Sequence, residues 1–170
     1  MNLNIPYMET DNKLLNDAYR IAAGDIVGNI VYYQNGLLTE EKPCMIAGLD
    51  YNTPWTRDTA INIWNALSIL SPEVSKNTLL AVLEEEEGNI YIGGQYWDSI
   101  IWMIGAREYC RFHKDDNFYR LAFEAGRNSV HRLEEDEFDE EDGLFRGPAV
   151  YGDGIAAYPD KYSKCPNQGS

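Results

Sequence analysis

Apolar positions recur at helical spacing over residues 14–33 (LLNDAYRIAAGDIVGNIVYY), with Asn16, Asp17, Arg20 and Asp25 between them. That periodicity predicts an amphipathic helix with one wet face. Gly36, Pro43, Gly48 and Pro54 then break the segment 34–55, which cannot be one helix. A second helix is expected over 56–70, where almost no charge follows Asp58 and apolar residues lie all round, the mark of a buried helix. Ser71 and Pro72 make a helix start, with Ser71 as cap and Pro72 in the first turn, so an amphipathic helix is expected over 73–87.

The same order returns. Gly88, Gly93 and Gly94 mark a loop over 88–96, with a short strand expected at Ile90–Ile92. Helix 98–113 is again apolar nearly all round, a tight turn at Lys114-Asp115-Asp116 follows, and helix 117–134 is amphipathic. A third Gly/Pro-rich segment starts at Asp139. Outer and inner helices therefore alternate, and antiparallel neighbours place all the long loops (about 34–56, 88–97 and 139–160) at one end. The expected fold is all-α: antiparallel helical hairpins of an (α/α)6 toroid, about half of the ring, as one partial domain over 1–170. An α-solenoid is the alternative. It would show self-similarity at a fixed period and has little use for loops of about 20 residues.

Charge narrows the partners. Lys and Arg number 14 against 28 Asp and Glu, a net charge of −14. Such a surface repels phosphate backbones and anionic lipid heads, so nucleic acid and membrane are not expected partners. Met1 to Thr10 shows no basic stretch before an apolar run, and no apolar run approaches about 20 residues, so a cytoplasmic protein is expected. Cys44, Cys110 and Cys165 are too scattered for a disulfide framework. Cys110 and His113 are two ligands where a zinc site needs more, so no metal and no cofactor are expected. Residues 134–142 hold eight acids in nine positions, which reads as a solvated face and fits no EF-hand spacing. His113 and His131 read as structural or surface residues.

The chemistry concentrates where loops meet inner helices. Trp55-Thr56-Arg57-Asp58, preceded by Asp50-Tyr51-Asn52, combines groups that suit a sugar. An indole covers the C–H face of a pyranose, while guanidinium and carboxylate bind adjacent hydroxyls. The purely structural alternative makes Thr56 or Asp58 a helix cap and Trp55 a core residue. Likewise Asp98 can cap its helix with Trp97 as a hydrophobic staple, or both can project from the rim of a cleft. In the third loop, four glycines and a proline surround Arg146, Tyr151 and Asp153. Asp153, between Gly152 and Gly154, is either a substrate-facing carboxylate or part of a simple Asp-Gly turn.

Trp55-Thr56-Arg57-Asp58 resembles the signature at the first inner helix of glucoamylase-like six-hairpin glycosidases. Gly93-Gly94-Gln95-Tyr96-Trp97-Asp98-Ser99 looks like the trehalase-type segment in which Trp-Asp-Ser opens an inner helix. The resemblance covers roughly residues 14–160. It implies a glycoside hydrolase of the inverting α-glucosidase type, acting on an oligosaccharide or glycoside by direct water attack. Trp55, Arg57, Asp58, Trp97, Asp98, Arg146 and Tyr151 would bind substrate, and Asp153 is the catalytic candidate. Inversion needs two carboxyl groups about 6.5–9.5 Å apart. The family's acid and base lie later in the barrel, and this chain supplies about half of the hairpins, so it reads as a fragment of a longer chain, a truncated paralogue or half of a homo-oligomeric ring. A non-catalytic carbohydrate-binding or protein-binding helical module is the alternative function.

Overall fold

Helices and hairpins alternate in the computed structural model, which describes residues 5–94 and 97–145. The order is α1 (Lys13–Gly28), β1 (Ile30–Tyr33), β2 (Lys42–Met45), then α2 (Thr56–Asn62), a π-helical segment (Ile63–Leu67) and a last turn, α3 (Ser68–Leu70). After Ser71 come α4 (Pro72–Ala81), β3 (Leu83–Glu86), β4 (Asn89–Ile92), α5 (Asp98–His113), α6 (Asp116–Glu137), β5 (Phe138–Asp139) and β6 (Leu144–Phe145). Each strand pair is an antiparallel two-stranded sheet.

The all-α expectation is therefore overturned: the described fold is mixed, with three small antiparallel sheets built from segments expected as loop or helix, apart from the strand expected at Ile90–Ile92. Two predicted helices are too long for the same reason. Helix 14–33 stops at Gly28, where Asn29 turns the chain and both its backbone and side-chain amides donate to the Asp25 carbonyl. The β-branched and aromatic run Ile30-Val31-Tyr32-Tyr33 then pairs as a strand with residues 42–45. Helix 73–87 stops at Ala81, because the β1–β2 loop occupies its C-terminal end. There Leu37 N–H donates to the Leu80 carbonyl at 3.1 Å, and Asn35 Nδ2 to that of Ala81 at 3.2 Å. Leu83 to Glu86 consequently run as a strand, with Leu83 buried opposite Ile92. The turn between them is Glu87-Gly88, both at positive φ (52° and 80°), the two-residue geometry that matches strand twist.

The first two hairpins each pack on the next outer helix. Met45 N–H of β2 donates to Thr78 Oγ1 of α4 at 3.0 Å, and Ile92 N–H of β4 donates to Ser129 Oγ of α6 at 2.8 Å. The inner helices run side by side in the same direction. Thr56 and Gly93 meet near their starts, Ala60 and Gly105 touch mid-length, and His113 donates to the Ser68 carbonyl near their ends. A Cβ on Gly105 would lie 2.7 Å from Ala60 Cα, so this is the closest approach the two backbones allow. Ile63, Leu67, Leu79, Trp102 and Phe118 fill the core between inner and outer layers. The inner helices are not buried all round, however. Ile61, Trp64, Ile69, Ile100 and Ile104 are exposed, because among the described residues no element covers the side turned away from α4 and α6.

The α5–α6 turn is set by Lys114 in the left-handed conformation and by Asp115, whose carboxylate accepts from Phe118 N–H at 3.0 Å. Asp115 also receives Lys76 Nζ from α4 at 2.6 Å. That hydrogen bond first, and the Phe118 amide second, hold its pKa below the ordinary carboxylate value. A depressed folded-state pKa contributes stability above the unfolded value of about 3.9, and the contribution is lost as pH falls through the folded value. Asp115→Asn keeps a good N-cap and removes only the charge. It should cost under about 1 kcal/mol at neutral pH. Thermal unfolding at pH 7 and near pH 2.5 should show the gap to the parent closing at the lower pH. A gap that persists there would exclude the ion pair as its source.

Candidate functional site

The starts of α2 and α5 form one surface. Thr56, 5% exposed, donates its hydroxyl to the Gly93 carbonyl at 2.8 Å and ties the α2 start to the end of β4. Gly94 fits against the same pair of helices. A Cβ there would lie 2.8 Å from Thr56 Oγ1 and 2.9 Å from Asp98 Oδ2. Packing the N-terminal ends this closely leaves Arg57 beside Asp98, with Arg57 Nε 3.6 Å from Asp98 Oδ1. The Asp98 side chain is almost wholly buried at 4% exposure, whereas Arg57 keeps 28% and reaches solvent.

An aromatic pair precedes Arg57 on the same segment. Tyr51 and Trp55 meet edge to face, ring centroids 5.8 Å apart at 75°. Trp55 is half-buried and occupies the N-cap position of α2 without a side-chain capping bond. The capping alternatives for this segment are thus resolved: Thr56 reaches across to Gly93, and Asp58 stands half-buried in the first turn. At α5 the N-cap position belongs to Trp97, half-buried, and Asp98 is the first helical residue rather than the cap. The structure thus brings Arg57 and Asp98 together, with Trp55 and Asp58 on the flanking residues and Trp97 preceding Asp98. Arg146, Tyr151 and Asp153 lie outside the described residues.

A neighbouring polar cluster was not expected from the sequence. Arg132 of α6 lies over the Tyr91 ring at 3.5 Å from its centroid and pairs with Glu86 at 2.6 Å. The only signal for it was the wet face of helix 117–134, since which strand residue would face it depended on an unforeseen hairpin. Burial raises the Cys44 thiol to about 12, and burial together with the nearby Asp115 raises the Tyr109 hydroxyl to about 12, so neither is an activated nucleophile. Among the described residues no group of three or more His, Cys, Asp or Glu side chains could hold a metal ion, and no helix is long and apolar enough to cross a membrane. In comparisons with known proteins, no family model, no curated protein and no solved structure matches this chain.

Proposed function

We propose that this chain is carbohydrate-active and binds a neutral sugar at the joined starts of α2 and α5. The observation that carries this reading is the Arg57–Asp98 pair, half-open to solvent on its arginine side and flanked by the Tyr51–Trp55 aromatic pair. A guanidinium donates through several N–H groups in one plane and a carboxylate only accepts, so together they match adjacent hydroxyls. At 3.6 Å the pair is wider than a hydrogen bond, and the solvent-reaching side of Arg57 is where a sugar hydroxyl can meet the guanidinium. The indole supplies the apolar surface that a pyranose C–H face needs.

The resemblance of the two tryptophan-acid segments to six-hairpin glycosidases extends the proposal to glycoside hydrolysis of the inverting type. Asp153 is the candidate carboxyl group for that chemistry, one of a pair in which a carboxylate takes a proton from the attacking water and a carboxylic acid gives one to the leaving glycosidic oxygen. Arg57→Ala should weaken binding of methyl α-glucoside at least about tenfold, the loss of one charge-assisted hydrogen bond or more. Arg57→Lys should restore only part of it, because an ammonium cannot reproduce the planar fork. Circular dichroism should show unchanged helicity in both. Titration calorimetry that finds parental affinity in Arg57→Ala would end this assignment. Turnover of aryl α-glycosides that disappears in Asp153→Asn would support hydrolysis. Binding without turnover would leave a carbohydrate-binding module.

A further inference from the structure

A cleft of about 290 Å³ opens between β4, the start of α5 and the C-terminal half of α6. Its size is at the small end of ligand sites, enough for a single sugar ring. Its walls include Gly94 and Ser99. Gly94 is the residue packed against Thr56 and Asp98, and Ser99 follows Asp98, so the cleft shares a wall with the Arg57–Asp98 site. The cleft is built by packing. Ser129, 4% exposed, fixes β4 to α6 through the Ile92 amide, and Arg132 is clamped between the Tyr91 ring and Glu86.

The lining is mostly polar and supplies both hydrogen-bond donors and acceptors. Glu84, Asp136 and Glu137 set three carboxylates against the one guanidinium. Uronates and sugar phosphates would meet net negative charge there, whereas neutral hydroxyls can donate to the carboxylates and accept from Arg132.

We infer that this cleft is a second subsite, taking the next unit of a neutral oligosaccharide whose first unit lies at Arg57–Asp98. The inference rests on the sugar reading of the first site. Its test is titration calorimetry of the full chain with methyl α-glucoside and a set of glucose disaccharides. At least one disaccharide should bind about tenfold tighter than the monosaccharide, since a second filled subsite adds its own contacts. In Asp136→Asn and in Arg132→Gln that ratio should fall toward one. A glucuronate-bearing analogue of the preferred disaccharide should show no gain. Monosaccharide binding with no gain from any disaccharide, or a gain that survives both substitutions, would overturn the subsite alone. No binding of any sugar would overturn the subsite and the first site together.

Discussion

Trp102→Ala should lower the unfolding free energy by about 3–5 kcal/mol, the usual cost of deleting a fully buried large aromatic. Trp102 is 0% exposed and sits on α5 where the inner and outer layers meet, with Phe118 of α6 6.4 Å away between ring centroids. Its indole N–H donates to the Leu79 carbonyl near the end of α4, 3.3 Å away. Truncation would open a cavity between layers and strip that carbonyl of a partner, and the two losses add. Trp102→Phe separates them, because it retains most of the ring volume and removes the donor, so a smaller loss of about 1–2 kcal/mol is expected. Urea unfolding followed by circular dichroism measures both. Equal losses in the two variants would show that the hydrogen bond, rather than the volume, dominates.

Gly36→Ala should be nearly as damaging, although residue 36 lies in a surface loop. Its φ is +59°, which costs an alanine about 1–2 kcal/mol. In addition, a Cβ would lie 2.5, 2.6 and 2.8 Å from the carbonyl oxygens of Leu80, Leu83 and Ala81. These are backbone atoms at the end of α4 and the start of β3, and they cannot move aside as a flexible side chain would. The loop would have to lift, with loss of the Leu37 and Asn35 hydrogen bonds that end the helix. Together the terms come to about 3–4 kcal/mol. Gly88→Ala is the control: its φ is also positive (+80°), but a Cβ there meets nothing within 4 Å. Only the conformational cost should appear. If the two alanine variants unfold at the same urea concentration, the loop does not hold α4 in the way described.

The contrast between these two glycines also shows what could be read from the chain. Gly88 could be recognised as a breaker from its neighbours, whereas the role of Gly36 depends on residues 80–83, which the fold brings to it. The same division runs through the architecture. The helical runs were legible in the apolar periodicity, and α5 occupies the expected 98–113, but α1 buries no residue and does not pack as the expected outer helix. The start of α4 was legible as well, with Ser71 Oγ accepting from Val74 N–H. The hairpins were hidden for a physical reason. Glu84 to Glu86 are good helix formers and continue the preceding pattern, yet pairing with Asn89 to Tyr91 and the blocked end of α4 override that local preference. At the site, the tryptophans, Arg57 and the aspartates could be named as candidates from residue type. The pairing of Arg57 with Asp98 could not, because it follows from the close contact of Gly105 with Ala60 and from Gly94 lying against Thr56.

The hairpins carry a kinetic consequence. Their closing segments are residues 34–41, 87–88 and 140–143, all short. Closing such loops costs little chain entropy. The contacts that join the layers are all longer-range: Met45 meets Thr78 33 residues on, Ile92 meets Ser129 37 residues on, and Thr56 meets Gly93 37 residues on. The hairpins can therefore close before the layers must meet. Since Arg57 and Asp98 come together only when α2 and α5 touch, the candidate site would assemble with the layers and not with the hairpins.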